Sequence, residues 1–399
     1  MFNSIVSCSR FLARQFFCVA CILLFAAVPC CAQFTVRIFL QSLPVTHPAD
    51  SIFAAGNFNN WNPANPAFRF DQKQNIPLLK LQNVPPGTYE FKFTRGGWDK
   101  VECTADGKDI GNRQIQLTSD TVLEFSVNGW KDDFVTEPKK HTASSNVELL
   151  DTALLMAESG RYKRLWVYLP PGYTAGSRRY PVMYMHDGQN VFDDFYSGYG
   201  EWQVDETLDS LTKAGRQGCI VVGIESSDKR MTEYNPYELA TFGKGEGDMY
   251  VDFICKTVKP FIDKKYRTLS AKENTIIAGS SLGGLISYYA MLKYPGTFGK
   301  AGIFSPAFWL APSIYNATDS MGGRLTGKLF FYIGEKEGKQ HVNNMINIME
   351  KIGKNSSVMI YSIINPEGEH NEANWRKWFA EFYTFILADG FNAAAVLHD

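Results

Sequence analysis

Histidine is scarce in this chain, and cysteine outside the leader is scarcer. Six histidines are spread over 399 residues. Of eight cysteines, Cys8, Cys18, Cys21, Cys30 and Cys31 crowd into the start, leaving Cys103, Cys219 and Cys255 for the rest. An odd, widely spaced trio is neither a disulfide framework nor a cysteine metal cluster, so neither a metal nor a cofactor is expected. Charge of one sign is lacking too. A formal net charge of -1 carries no footprint of a nucleic-acid partner, and a 45% apolar composition excludes a disordered chain. There is no internal repeat and no low-complexity tract.

A long apolar run occurs once. FFCVACILLFAAVPCCAQ follows Arg10 and Arg14 and leads through small residues to Ala32. This order reads as an export signal over residues 1–32, cleaved before Gln33. The run is short for a membrane span, so no stable span is expected after cleavage. The retained anchor and a lipid-modified Cys30 or Cys31 are weaker alternatives, the second because Val28 and Pro29 stand where small residues are wanted. The protein is expected to be exported, to a periplasm or to the medium.

What remains divides by texture. Over 33–130, the short alternating runs FTVRIFL, SIFAAG, TYEFKFTRGGW and TVLEFSV are cut by Pro85-Pro86-Gly87 and Asp106-Gly107. Period-two alternation between turn residues predicts an all-β antiparallel sandwich of immunoglobulin type. Residues 131–146, KDDFVTEPKKHTASSN, are polar and read as an exposed linker. Over 147–390 the buried runs PVMYMHD, CIVVGIE, NTIIAGS and KLFFYIG alternate with helical periodicity. That predicts an α/β unit with a mostly parallel central sheet, followed by a tail over 391–399. Val251, Ile254, Cys255, Val258, Phe261 and Ile262 form one helical stripe, in which Pro260 must kink the helix or start a new turn.

The stretch IIAGSSLGGLISYY, 276–289, carries the chemistry. Gly-x-Ser-x-Gly fits only with Ser281 at its centre, between a predicted strand 275–278 and a predicted helix 282–294 ended by Pro295. A sharp strand-to-helix corner projects one side chain at the carboxyl edge of a sheet and beside a helix N-terminus, where free N–H groups stabilise an oxyanion. A hydroxyl is a weak nucleophile unless a base removes its proton and an acid holds the base.

Three histidines follow Ser281: His341, His370 and His398. His398 is terminal, and His341 opens a helical stretch where a solvated role is expected. His370, in the loop after the strand SSVMIYSII, is the candidate base. The loop after KLFFYIG offers Glu335 and Glu337; Glu337 is preferred as the acid, with Glu335 in reserve. Backbone N–H groups of Leu282 and of Gln189, in YMHDGQNVFDD, are the candidate oxyanion donors. His186 and Asp187 in that loop lack the partners of a metal site.

VYLPPGY, YMHDGQNVFD, EWQVDE, GSSLGG, SPAFW, GEKEG and GEHNEANW together resemble the esterase D family of α/β-hydrolases, over about Arg164 to Leu387. The family includes enterochelin, feruloyl and acetyl-xylan esterases and mycolyltransferases. The resemblance implies Ser281 as nucleophile, Glu337 as acid, His370 as base and Gln189 as an oxyanion donor. It also places Trp202 and Trp309 in segments that line the substrate pocket. AGNFNNWNP and TYEFKFTRGGW resemble early-set glycogen- and starch-binding modules, which implies Trp61 and Trp98 as sugar-stacking rings and Lys92 as a hydroxyl partner. The expected activity is hydrolysis of acetyl or feruloyl esters on a carbohydrate, with an α-glucan or plant polysaccharide at the N-terminal module. Two alternatives stay open. One is a siderophore trilactone esterase, for which Lys229 and Arg230 are candidate anion contacts; the other is an inactive glycan-binding protein.

Overall fold

The structure, a computed structural model, describes residues 33–73, 76–134, 139–238 and 243–388. The leader, the terminal tail and His398 lie outside the described residues. Among those described, no helix is long and apolar enough to cross a membrane.

Among the described residues, six longer strands build most of the N-terminal region, beside a two-residue pair formed by Glu102–Cys103 and Gly129–Trp130: β1 (Phe34–Ser42), β2 (Phe53–Gly56), β3 (Leu78–Val84), β4 (Gly87–Thr94), β5 (Arg113–Leu117) and β6 (Thr121–Ser126). They pair as two sheets, β3-β1-β6 and β2-β4-β5. Val36, Ile38, Leu79, Phe91 and Phe93 form a common core, as alternation requires. The expectation of purely antiparallel pairing is corrected at one place: β1 runs parallel to β6, Val36 opposite Thr121 through Leu40 opposite Phe125. Strands far apart in sequence are free to lie parallel, because no tight turn joins them.

Among the described residues, the second unit is built on one sheet of eight strands, beside a short antiparallel pair of Leu154–Met156 with Arg161–Lys163. The eight are β7 (Val147–Leu149), β8 (Leu165–Tyr168), β9 (Val182–Met185), β10 (Ile220–Ile224), β11 (Thr275–Ser280), β12 (Lys300–Phe304), β13 (Lys328–Gly334) and β14 (Met359–Asn365). Their order is β14-β13-β12-β11-β9-β10-β8-β7. Strands β9 to β14 pair in parallel, while β8 runs antiparallel to both its neighbours. Strand runs such as VMYM and IVVGI are buried at every residue because hydrophobic clusters cover both sheet faces. The flanking helices include α1 (Val204–Lys213), α2 (Gly247–Phe253), α3 (Lys259–Lys265), α4 (Leu282–Lys293), α5 (Ser313–Met321), α6 (Lys339–Asn355), α7 (Glu372–Lys377) and α8 (Phe379–Leu387). The stripe of 251–262 is interrupted as Pro260 demands: a π-turn over Ile254–Val258 separates α2 from α3, and Pro260 sits in the first turn of α3.

The segment read as an exposed linker is tied to the α/β unit where it is described. Lys139 donates to the carbonyls of Asp194 and Ser197, His141 Nδ1 lies 2.7 Å from Asp193, and the Ser144 N–H reaches Asp205 at 2.6 Å. Its hydrogen-bonding residues have distant partners, which a composition-based reading does not register.

Candidate active site

Ser281 closes β11 and opens α4, with φ 59° and ψ -120°. A non-glycine residue persists in that conformation only where its surroundings enforce it. Here they do: the Ser281 N–H donates to Phe304 O at 2.9 Å, and its carbonyl accepts from Leu285 and Ala307 N–H, each at 3.0 Å. The glycines of the motif follow from space. A Cβ on Gly279 would stand 2.9 Å from the His186 ring and 3.0 Å from the Gly283 carbonyl carbon. Ser280 is buried, whereas Ser281 is partly open to solvent.

Glu337 ends a 3-10 turn directly after β13. Its Oε2 lies 2.6 Å from His370 Nδ1, and its Oε1 accepts from Ser305 Oγ at 2.6 Å and from the Gly334 N–H at 2.9 Å. Trp375 Nε1 donates in turn to Ser305 Oγ at 2.8 Å. The two loops meet because both are bare at the crossing: a Cβ on Gly334 would fall 2.2 Å from Gly368 O. The Glu337 side chain is 4% exposed, and burial alone would raise its pKa; His370, Ser305 and the Gly334 N–H outweigh burial and hold it below the usual range. Glu335 faces solvent.

The His370 ring is 42% exposed but walled by protein on its remaining sides, edge-on to Trp375 at 5.1 Å. Desolvation would lower its pKa. The carboxylates of Glu337, Glu90 and Glu372 win, and the value is raised. Among the described residues no hydrogen bond joins the imidazole to the Ser281 hydroxyl.

Gln189 sits in a short 3-10 turn, Gly188–Asn190, after the left-handed Asp187. Its side chain is clamped at both ends: Nε2 donates to Ser226 Oγ at 2.7 Å, and Oε1 accepts the Ser226 N–H at 3.2 Å. Behind this turn His186 is fully enclosed, with Nδ1 2.9 Å from Tyr250 Oη and a pKa pushed by burial down to about 3, so it is neutral. Arg230 grips Asp187 through two bonds, 2.7 and 2.8 Å. Its charge is thus opposed by a carboxylate, while Lys229 is an exposed residue near Asp228.

Of the two indoles expected at a pocket wall, Trp202 is corrected. It is 4% exposed, stacked on Trp375 at 5.7 Å and edge-on to Phe304 at 4.9 Å, and so belongs to the core. A large apolar ring gains more from burial than from contact with water. Trp309 is half-buried, 5.7 Å from His341. Trp61 and Trp98 lie together with ring centroids 6.2 Å apart, the second 37% exposed. Lys92 is half-buried in β4, and desolvation depresses its pKa.

Two carboxylates at the site were missed. Glu90 shares the outer face of β4 with Lys92, accepts from Gln114 at 3.0 Å and Asn112 at 3.3 Å, and lies 3.7 Å from His341 Nε2. His341 is therefore not a solvated surface residue. Glu372 opens α7, accepts from Asn190 Nδ2 at 3.3 Å and is raised by burial to about 7. GEHNEANW marked the second as a charged neighbour of His370; nothing in the sequence links residue 90 to residue 370.

The parallel sheet, its flanking helices and the strained corner at Ser281 define an α/β-hydrolase. A family model described as "Putative esterase" matches residues 157–386, more than half of the chain, and the chain belongs to that family. It is 31% identical over 200 residues to the uncharacterized protein YbbA of Bacillus subtilis, covering 47% of this chain and 74% of that one. It is 23% identical over 223 residues to an endo-1,4-beta-xylanase/feruloyl esterase of Xylanibacter ruminicola, covering 55% of this chain but only 28% of that longer protein. Among solved structures, the BES protein from Bacillus cereus has a TM-score of 0.51 at 19% identity, over 64% of this chain and 100% of that one, a likeness of fold.

Proposed function

We propose that this esterase is an exported serine carboxylic ester hydrolase that removes acetyl or feruloyl groups from a carbohydrate. The observation that carries the chemistry is the 2.6 Å contact between His370 Nδ1 and the enclosed Glu337 side chain, on loops that leave β14 and β13 at the same sheet edge as the corner that bears Ser281. In this reading Ser281 Oγ attacks the acyl carbonyl while His370 Nε2 takes its proton. Glu337 stabilises the imidazolium, and the tetrahedral oxyanion takes the N–H groups of Leu282 and Gln189. As the intermediate collapses, the imidazolium gives its proton to the departing alcohol oxygen. Water, deprotonated by His370, then releases the acid and restores Ser281.

The sugar specificity rests on the similarity to a feruloyl esterase and on the paired indoles of Trp61 and Trp98, whose flat faces suit pyranose C–H surfaces, with Lys92 as the expected hydroxyl partner. Initial rates on acetylated xylan, feruloylated arabinoxylan and enterobactin test the substrate. The proposal expects one of the first two to be preferred, and a preference for the trilactone would overturn it. The Asp187 partner of Arg230 speaks against a free cationic cradle for an acidic chelate. For the N-terminal region, Trp61→Ala is expected to abolish retention on the preferred polysaccharide in affinity electrophoresis. Its rate on p-nitrophenyl acetate should stay at the parental level.

Only neutral His370 accepts a proton, so kcat/KM should fall as pH drops through its raised pKa. Removing one nearby negative charge makes the imidazolium less favourable. Glu90→Gln is therefore expected to move the acid limb of the pH–rate profile to lower pH. An unmoved limb would show that the N-terminal region exerts no field on the base.

A further inference from the structure

Away from the proposed site, EWQVDE brings three carboxylates together. Glu201 precedes α1, and Asp205 and Glu206 lie in its first turn. The left-handed Gln203, φ 54°, folds Glu201 back over that turn. One oxygen from each residue lies within 4.8 Å of the others. Glu201 is 3% and Asp205 0% exposed, while Glu206 opens to solvent.

The buried oxygens are what a crowd of surface acids does not explain. Glu201 Oε2 and Asp205 Oδ1 are both enclosed and have no hydrogen-bond partner. The other Asp205 oxygen accepts the Ser144 N–H at 2.6 Å. Among the described residues no lysine or arginine pairs with any of the three; Arg376 directs an N–H to the Glu201 backbone carbonyl at 3.4 Å instead. Asp193 and Asp194 add to the negative field on Glu201. Buried like charges are tolerated only when protons or a cation neutralise them. Burial raises the pKa values of Glu201 and Asp205, and burial followed by a side-chain hydrogen bond with Asp205 raises Glu206 to about 8.

We propose that Glu201, Asp205 and Glu206 form a calcium site that fastens the segment around Ser144 to the start of α1. Three carboxylates with no nitrogen or sulfur donor suit a hard cation. Calcium accepts irregular geometry and completes its shell with water, for which the exposed Glu206 leaves a path. The ion would satisfy both orphaned oxygens, and the Ser144 contact on Asp205 would become part of its outer shell.

The test uses the full chain after dialysis against EDTA. Calorimetric titration with CaCl₂ is expected to show one ion per chain, and 1 mM CaCl₂ to raise the thermal midpoint by about 5 °C. Glu206→Gln, at an exposed position where folding is not at risk, should weaken calcium at least tenfold and remove most of the shift. No heat and no midpoint change in the parent would overturn the proposal, as would an undiminished shift in Glu206→Gln. Esterase rates do not enter the readout, so the site stands or falls apart from the proposed hydrolysis.

Discussion

Ser281→Ala is expected to lower kcat/KM on p-nitrophenyl acetate by about 10³-fold or more, with circular dichroism and thermal midpoint unchanged. The substitution deletes one oxygen and leaves the corner intact, because the backbone at 281 is held by Phe304, Leu285 and Ala307 rather than by the hydroxyl. The proposed oxyanion donors would persist, so a residual rate above that of water is expected. Ser280→Ala is the control: that side chain is buried and should leave the rate within about twofold. Parental activity in Ser281→Ala would refute the assignment of the nucleophile.

Glu337→Gln is expected to lower kcat by about 10³- to 10⁴-fold, and Glu335→Gln to change it by no more than about twofold. The contrast follows from position. Glu337 bonds His370 Nδ1 with one oxygen, and Ser305 and the Gly334 N–H with the other, whereas Glu335 two residues away faces solvent. A carboxamide in place of Glu337 removes the charge that favours imidazolium, and its N–H group favours the wrong imidazole tautomer. Glu337 is held below the usual carboxylate range, so its stabilising contact is present at neutral pH and disappears as acid protonates it. A large loss in Glu335→Gln with little change in Glu337→Gln would reverse the choice between the two glutamates.

The sheet and its strand–corner–helix element were legible because their causes are local. Runs such as IVVGI and KLFFYIG have no polar face and so demand cover on both sides, and Gly279 is required by the packing of His186 against the corner. Trp202 misled for the opposite reason. A tryptophan beside EWQVDE has the same sequence whether it lines a pocket or stacks on Trp375 in the core, and neighbours from another element decide which. The polar segment after Trp130 reads as free until Asp193 and Asp205 come within reach of it.

The sequence by itself determined the two textures of the chain, the order of buried strands and the residue types able to move a proton, because periodicity and glycine spacing act over a few residues. Tertiary structure alone decided that Glu337 rather than Glu335 meets His370, that Glu90 of the N-terminal region adds its field to that imidazole, and that Glu201 folds over Asp205. Each is a contact between side chains whose separation is set by how loops cross and sheets pack, and electrostatic interaction depends on distance through space rather than along the chain.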